Sequence, residues 1–488
     1  MRQLRLVSIC TALLAGAAIA SAQDATAVVA DVARAMGMSG LKAITFSGTA
    51  AFGNFGQSRT ISFGLASTAI PNYIRTIDFE HAASLATGDT QPPQARGGPP
   101  PQPGTYLQHI TPADTAWAQQ LQIWTTPWGF LIGAASHRPT VQPRTVDDVR
   151  YRIVSWTPDQ KAPSGASYRL EGFVTDENVL ERVNTWVEHP IMGDLLVETR
   201  FANYQDAGGL KVPSQIRQSQ GGMETFVVSI NSVRINPDNL EELLTPPPAA
   251  GRGGARAGGP GAGAPAPAVA SEKLAEGVYR ITGGYVSLAV EFKDYVVVLE
   301  AGQNEARGLA VLNETRRLFP QKRVKYVVNT HAHFDHAGGL PPFVAEGITI
   351  IADDNNKYFL LPALGSPRTL VGDALAKSRK KPVIEGVEKK LVLRDATRTL
   401  ELHHVEKLEH TDGMLIAYLP KEKILFTADF PVPLPGQPVN PSTTTLIENV
   451  TRLGLDFDRY VTVHAPAPDR PLTRADLMGT APNGGAGR

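Results

Sequence analysis

Residues 245–271 restrict how this 488-residue chain can fold more than any other stretch. Their sequence, TPPPAAGRGGARAGGPGAGAPAPAVAS, is almost entirely proline, glycine and alanine and offers little to a hydrophobic core. Such a composition predicts an extended linker. A chain of this length is also too long for one ordinary core. We therefore predict two folded domains, at residues 24–244 and 272–480.

The first 22 residues have the composition of a cleaved export signal. Arg2 and Arg5 provide a positive start, the apolar run LVSICTALLAGAAIA follows, and ASA at 20–22 is typical of a small-residue cleavage site. We therefore expect a periplasmic or secreted protein. No later stretch approaches the ~20 apolar residues that a membrane helix needs, so no integral membrane span is expected.

Charge and cysteine content limit the function classes further. The chain has 47 basic and 47 acidic side chains, which gives no electrostatic reason to expect nucleic acid as a partner. Protein partners are left open. The single cysteine, Cys10, lies inside the predicted signal, so the mature chain is expected to have no disulfide and no thiolate metal ligand.

The first region has the pattern of a mostly antiparallel β domain with one helix. Apolar residues at helical spacing predict the helix at 24–37, and a proline-rich stretch at 91–104 predicts a long loop. Alternating residues and turn signals predict strands at 43–53, 58–67, 151–159, 166–176, 179–188, 194–222 and 223–236. The hairpin ETRFANYQDAGGLKVPSQI loosely resembles the curved-sheet fold of periplasmic lipoprotein carriers. All five tryptophans fall in this region, where core packing is favoured over an apolar ligand groove.

The second region alternates apolar strands with helices, which is typical of layered α/β architecture. Helices are predicted at 304–319, from Asn355 onward, and at 442–454. Strands are predicted at 285–292, 295–302, 324–330, 348–353, 389–395, 399–405, 413–419, 423–429 and 459–464.

The sequence HAHFDH at 331–336 concentrates metal-binding side chains just after a predicted strand. His331 and His333 can converge on one ion, while Asp335 and His336 turn toward a second point. Imidazole nitrogens suit zinc, and iron or manganese are alternatives. One metal would need a third protein ligand from elsewhere in the chain, and two metals would need more.

Three further candidate ligands follow apolar strands of the same region or stand beside one. His410 lies in LEHTDGMLIAYLP, Asp429 ends KILFTAD and His464 ends YVTVH. A layered α/β protein gathers such strand-end residues at one edge. His403 and His404 lie within a predicted strand, where alternation points them to opposite faces, and both are expected to be strand residues rather than ligands.

The order of these residues resembles the metallo-β-lactamase-fold hydrolase superfamily over roughly residues 274–470. H-x-H-x-D-H is the strongest motif of that superfamily, and HTDG, LFTAD and the terminal VH follow in its order. The resemblance implies an αββα sandwich with two zinc ions at one edge. It also implies how the ligands divide between the two ions. The first zinc would be bound by His331, His333 and His410, and the second by Asp335, His336 and His464. Asp429 would bridge the two ions.

The chain departs from the superfamily pattern at three positions. The superfamily usually has aspartate where this chain has Glu300, and the effect of the longer side chain is not specified by the sequence. Ala428 and Ala465 replace glycines that are common beside Asp429 and His464, which would narrow the site. A bridging Asp429 and the lack of a mature cysteine favour a glyoxalase-II-like or general hydrolase site over specialised antibiotic lactamases.

The resemblance implies an exported hydrolase that attacks a small-molecule ester, thioester, lactone or amide. Two zinc ions sharing a water lower its pKa toward ~7 and supply hydroxide at neutral pH. Asp335 is the expected catalytic residue, which orients the nucleophile and takes its proton. The alternatives are a β-lactamase proper, or a carrier whose N-terminal sheet holds an apolar ligand while the metal domain has a supporting role.

Overall fold

The computed structural model describes residues 24–61, 67–93, 102–112, 116–247, 268–434 and 436–479. Four predicted segments therefore fall wholly or partly outside the described residues: the export signal, residues 62–66 of the predicted strand at 58–67, residues 94–101 of the long loop, and residues 248–267 of the linker. Among the helices of the described residues, none has both the length and the apolar content to cross a membrane.

The N-terminal region folds around an eleven-stranded antiparallel sheet with the strand order β4-β3-β2-β1-β11-β10-β9-β8-β7-β6-β5. The strands are β1 (Ala43–Phe52), β2 (Thr68–Asp78), β3 (Ala83–Thr90), β4 (Gly104–Ile110), β5 (Thr140–Val146), β6 (Val149–Trp156), β7 (Leu170–Val174), β8 (Leu180–His189), β9 (Gly193–Ala207), β10 (Leu210–Gln220) and β11 (Met223–Ile235). The helices are α1 (Ala25–Ala35), α2 (Trp117–Trp124), α3 (Pro127–Ser136) and α4 (Leu240–Leu244).

Helix α1 is the predicted N-terminal helix, and it begins where expected. The Asp24 carboxylate accepts a hydrogen bond from the backbone N–H of Thr26, which caps the helix. Val28 and Val32 lie on its buried face. The helix packs against α3, which the sequence did not predict because α3 is apolar on nearly all sides and shows no helical periodicity.

The predicted strand at 58–67 is wrong for residues 58–61. These residues form bends and a turn after β1, and the next strand starts at Thr68. The alternation of polar and apolar residues suggested a strand, but their backbone groups bond to the C-terminal region instead of to a neighbouring strand. Strands β2 to β5 were also absent from the prediction.

The C-terminal region consists of two packed sheets with helices on both outer faces, as the αββα prediction requires. The seven-stranded sheet contains, in spatial order, β12 (Ala270–Ala275), β13 (Val278–Thr282), β14 (Ser287–Glu291), β15 (Tyr295–Leu299), β16 (Arg323–Val328), β17 (Thr349–Asp353) and β18 (Ile384–Val387). The six-stranded sheet contains β19 (Lys390–Arg394), β20 (Thr399–His404), β21 (Leu415–Leu419), β22 (Ile424–Thr427), β23 (Arg459–Thr462) and β24 (Leu472–Thr473).

The helices of this region cover the two sheets from outside. They are α5 (Glu305–Leu318), α6 (Phe334–Ala337), α7 (Leu340–Glu346), α8 (Asp354–Gly365), α9 (Ala374–Ser378), α10 (Pro441–Arg452) and α11 (Arg474–Met478). Helices α5, α7 and α8 pack on the seven-stranded sheet, and α11 packs on the six-stranded sheet. A core that includes Leu288, Leu402 and Ile416 fills the space between the sheets.

Parallel pairing brings several strand ends to one edge. β15 and β16 run parallel in the first sheet, and β22 and β23 run parallel in the second. Glu300 directly follows β15, and Asp429 comes two residues after the end of β22. The carboxyl ends of parallel strands lie at the same edge, so these loops deliver their side chains to a common place.

The N-terminal sheet also packs against the C-terminal region. Ile61 and Ile191 are buried in the core formed by the seven-stranded sheet and its helices. The Asp194 carboxylate accepts hydrogen bonds from the backbone N–H groups of Thr369 and Leu370 at 3.0 and 2.9 Å. The two regions thus share both apolar and polar contacts.

Candidate metal centre

The structure brings together all seven side chains that the sequence singled out as metal ligands. Their ligand atoms form two groups, each with its atoms within 4.8 Å of one another. One group is His331, His333, His410 and Asp429, and the other is Asp335, His336 and His464. The grouping matches the division that the resemblance implied, although binding of a metal at these residues stays a prediction.

Asp429 lies between the two groups and faces both. Its Oδ1 is 2.9 Å from Nε2 of His336 and 2.9 Å from Nε2 of His464. Its Oδ2 is 3.0 Å from Nε2 of His410 and 3.5 Å from Nε2 of His331. Each carboxylate oxygen therefore faces the histidines of a different group, which is the arrangement that a bridging ligand requires.

Backbone and side-chain contacts fix the orientation of the first histidine pair. Nδ1 of His333 lies 3.0 Å from Nε2 of His331. On its other side, Nε2 of His333 donates to the backbone carbonyl of Ser58 at 3.2 Å. A ring nitrogen that donates in this way leaves Nδ1 of His333 with its lone pair facing His331.

The two ring nitrogens of His336 have different surroundings: one lies beside a carboxylate, and the other is without a hydrogen bond. Its Nδ1 is 3.3 Å from Oε2 of Glu300, and both side chains are completely buried. Its Nε2 has no hydrogen-bond partner of suitable direction among the described residues, although Oδ1 of Asp429 is near. A buried nitrogen left without a hydrogen bond is costly, and a metal ion would satisfy it.

Glu300 is built into the loop after β15 by several contacts. Its backbone has a φ of 70°, in the left-handed region that few residues other than glycine adopt. The Thr330 hydroxyl donates to Oε2 at 2.6 Å, and the Gly302 N–H donates to Oε1 at 3.1 Å. The longer side chain therefore still reaches His336, a question that the sequence had left open.

Asp335 is held by two donors from separate parts of the chain. The Tyr285 hydroxyl donates to Oδ2 at 2.7 Å, and the Gln57 amide donates to Oδ1 at 2.5 Å. Burial raises the pKa of Asp335, but the His336 charge and these two hydrogen bonds outweigh it and lower the pKa. Asp335 is therefore ionised at neutral pH.

The pKa values of the histidines reflect their surroundings. Burial lowers the pKa of His331 to about 4 and that of His333 to about 3, so both are neutral at pH 7. Burial also opposes the charged form of His336, but the carboxylates of Glu300 and Asp429 outweigh it and raise the pKa to about 10. Burial raises the pKa of Asp429, but the ring nitrogens of four neighbouring histidines outweigh it and hold the pKa far below its usual range.

These donors fit divalent transition metals. Five imidazoles and two carboxylates are the ligand types that zinc, iron and manganese use in hydrolytic sites. Neutral imidazoles supply lone pairs, and buried carboxylates supply negative charge that a cation would neutralise. The metal's identity is not specified by this donor set.

The ligand exposures show where the site opens. The side chains of His331 and His336 are completely buried, whereas 43% of the His464 side chain, 30% of Asp335 and 29% of His410 are exposed. Small molecules therefore reach the centre from the side of these last three residues.

The other histidines lie elsewhere, as expected. His403 and His404 are in β20, where His403 bonds to Glu401 and His404 bonds to Asp353. His81, His109, His137 and His189 belong to the N-terminal region. Of these, His189 packs its ring 4.7 Å from that of Phe334, beside the centre.

Sequence reasoning missed three contributors to the centre. Tyr285 stands at the start of the predicted strand YVSLAVEF, but nothing in that run marks it as a neighbour of Asp335. Gln57 and Ser58 lie more than 270 residues before the histidine cluster, in the other predicted domain. Only the packing of the two regions brings them to the centre.

Comparison with known proteins found a matching family model and a curated relative. The sequence model of the metallo-beta-lactamase superfamily matches residues 281–460, which include every candidate ligand except His464. Among curated proteins, the chain resembles 2,4-dinitroanisole O-demethylase subunit alpha of Nocardioides sp. (strain JS1661), with 27% identity over 207 residues. That match covers 41% of this chain and 58% of the relative, so the chain spans little more than half of the relative's length.

Solved structures with a detectable likeness include two metallo-beta-lactamases. The one from Pontibacter korlensis is 18% identical with a TM-score of 0.33. The match covers 43% of this chain and 95% of the Pontibacter chain. The one from Hirschia baltica is 20% identical with a TM-score of 0.32. The match covers 43% of this chain and 94% of the Hirschia chain.

Proposed function

We propose that this chain, whose residues 281–460 form a domain of the metallo-β-lactamase superfamily, is an exported metal-dependent hydrolase of a small-molecule substrate. The observation that carries the proposal is the position of Asp429. Each of its carboxylate oxygens faces a different group of donor side chains. This arrangement supports two metal ions per chain, with zinc as the first choice and iron or manganese as alternatives.

The proposed ligands follow the two groups. Those of the first ion are His331, His333 and His410, those of the second are Asp335, His336 and His464, and Asp429 serves both. When bound, such ions lower the pKa of a coordinated water toward ~7 and polarise the electrophile.

The protein's own residues orient and support these ligands. Glu300 and Ser58 each contact the ring nitrogen of a histidine that faces away from the donor cluster, and so fix which nitrogen is left to coordinate. Asp335 is ionised, exposed toward the opening and held by two hydrogen bonds. We assign it the catalytic role of orienting the attacking water and accepting its proton at a carboxylate oxygen.

The substrate class extends from carbonyl compounds to activated ethers. Esters, thioesters, lactones and amides suit attack by water at a carbonyl carbon, and a β-lactam is a special case of the amide. The likeness to an O-demethylase subunit adds aryl methyl ethers, from which water would release methanol and a phenol.

Metal analysis joined to a substrate screen tests the proposal. The purified full-length mature protein is assayed for bound metal, then screened on esters, thioesters, lactones, a chromogenic β-lactam and nitro-substituted anisoles, with and without a chelator. We expect about two metal ions per chain and an activity that the chelator abolishes and added zinc restores. Fewer than one metal per chain, with no rescue by zinc, would contradict it.

A pair of histidine variants separates the metal centre from general effects. His331→Ala removes a fully buried member of the first group, and it should lower both metal content and activity. His109→Ala removes an exposed histidine of β4 and should change neither. Equal effects of the two variants would argue against the assigned centre.

A further inference from the structure

Residues 53–61, which follow β1 of the N-terminal sheet, lie against the candidate metal centre. We call them the 53–61 segment. Their contacts reach two separate loops of the C-terminal region, and both loops carry candidate ligands. The sequence offered no reason to expect this, since the segment precedes the histidine cluster by more than 270 residues.

Three consecutive residues of the segment contact three consecutive residues of the cluster. The Gly56 carbonyl accepts from the backbone N–H of Phe334 at 3.0 Å. The Gln57 amide donates to Asp335, and the Ser58 carbonyl accepts from His333. Two of these partners are candidate ligands, one in each group.

The same segment holds the loop that carries His410. The Arg59 carbonyl accepts from the backbone N–H of Asp412 at 2.9 Å, and the Arg59 side chain pairs with the Asp412 carboxylate at 2.6 Å. The Thr60 hydroxyl also donates to that carboxylate. Asp412 is only two residues from His410. The segment therefore contacts both loops that carry candidate ligands, the histidine cluster and the loop of His410.

Apolar contacts fix the segment at both ends. The Phe55 ring packs edge-on against Phe334, with 5.0 Å between the ring centres. Ile61 is 3% exposed and belongs to the core of the C-terminal region. The polar residues between them are therefore anchored by apolar packing on both sides, in addition to their own hydrogen bonds.

We propose that the N-terminal domain supplies part of the metal centre, with Gln57 as a positioning residue for Asp335. This inference rests on the proposed function, because it concerns the ligands of the second metal. The Gln57 amide donates to one oxygen of Asp335 while Tyr285 donates to the other, so the carboxylate is held in a single orientation beside His336. Partners of this kind, which contact a ligand and not the metal, commonly change metal affinity by about 10- to 100-fold.

The proposal also gives the N-terminal domain a role other than carrying an apolar small molecule. A centre that is completed across the two regions requires both to be folded and docked. Asn54 also belongs to the 53–61 segment, but it is exposed and its side chain takes no part in the contacts described above.

Zinc titration of full-length variants tests the role of Gln57. Gln57→Met keeps the length of the side chain and removes the amide, and Asn54→Ala, at an exposed position of the same segment, is the control. Metal-free proteins are titrated with zinc against a chromophoric competitor, and the absorption of the cobalt(II) forms is recorded. For Gln57→Met we expect one of the two dissociation constants to rise about 10-fold, the other to stay within about 2-fold, and the cobalt spectrum of one equivalent to change. Asn54→Ala should match the wild type throughout.

The outcomes separate this inference from the proposed function. A wild-type protein that binds less than one zinc ion per chain would contradict the proposed function itself. A wild type that binds only one would overturn this inference, because the inference requires the second site. A wild type that binds two, together with Gln57→Met showing wild-type constants and spectra, would overturn only the role of Gln57. Equal weakening of both sites with a lowered unfolding temperature would also overturn it, since that pattern indicates general destabilisation. Gln57→Asn, which keeps the amide on a shorter side chain, provides a second variant that should weaken the same site.

Discussion

The carboxylate of Glu300 lies 3.3 Å from Nδ1 of His336, in a place where neither side chain reaches solvent. The contact turns the other ring nitrogen of His336 toward Asp429. It also places a carboxylate beside a buried imidazole, where it raises the pKa of His336 against the effect of burial. A glutamate therefore reaches this histidine at a position where the family that the sequence resembles usually has an aspartate.

Replacing Glu300 with glutamine should weaken the second metal site. The amide lacks the negative charge that favours the protonated ring, so the pKa of His336 in the metal-free protein should fall from about 10. Loss of this ligand support should lower zinc affinity by about 10- to 100-fold, measured by competition titration. Glu346→Gln, at a half-exposed surface pair with Arg316, is the control and should bind zinc as the wild type does. Unchanged affinity in Glu300→Gln would show that Glu300 does not support the site.

Arg307 should be essential for the stability of the loop that carries Tyr285. Its guanidinium is fully buried and donates to the backbone carbonyls of Ile281, Thr282, Gly283 and Tyr285. Arg307→Met would leave these carbonyls unpaired, and we expect a loss of about 3–5 kcal/mol in a urea unfolding experiment. Arg316→Met, at a half-exposed position, should cost less than about 1 kcal/mol. Similar midpoints for the two variants would contradict this reading of Arg307.

The parts of the fold that could be predicted are those whose signals are local. Helix α5 shows an apolar repeat, and Asn304 caps it by accepting from the Arg307 N–H. The histidine cluster follows β16 directly, so its position at a strand end was visible in the sequence. Asp429 and His464 were found for the same reason, because each comes just after an apolar strand.

The parts that could not be predicted depend on packing between distant segments. The alternation in residues 58–61 favoured a strand, but their backbone groups bond to His333 and Asp412 across the two regions. Helix α3 escaped prediction because burial on most of its surface removes the polar face that marks an amphipathic helix. The role of Gln57 has no local signal at all, since a glutamine in a loop is usually solvated.

His189 should make stability depend on pH below neutrality. Burial, with a smaller contribution from the Arg368 charge, lowers its pKa to about 3 from an ordinary value of 6.5. Its Nδ1 accepts from the backbone N–H groups of Ile191 and Met192, which a protonated ring could not do. Between these two pKa values the unfolded chain binds one more proton than the folded chain at this residue, so stability falls as pH falls.

The size of the His189 effect can be isolated with one variant. His189→Asn offers an acceptor without a titrating group. From pH 7 to pH 5, the wild type should lose on the order of 2 kcal/mol more than His189→Asn in the free energy of unfolding. The measurement is a urea titration of the metal-free wild type and of metal-free His189→Asn at each pH. All other titrating groups are the same in the two proteins. Parallel pH profiles would show that His189 titrates normally.

Gly56 should be required for the centre because of where its missing side chain would lie. Its φ is 81°, and an added Cβ would lie 2.0 Å from the ring of Phe334, which separates His333 from Asp335 in the sequence. Gly56→Ala therefore imposes backbone strain of about 1–2 kcal/mol and also displaces Phe334. Gly165→Ala is a matched control, because Gly165 has a φ of 84° and nothing within 4 Å of the added Cβ. Both variants should lose a similar amount of stability from strain, but only Gly56→Ala should also lose zinc affinity, by about 10-fold or more at either site. If Gly56→Ala binds zinc as tightly as Gly165→Ala does, the packing of the 53–61 segment on Phe334 has no influence on the ligands.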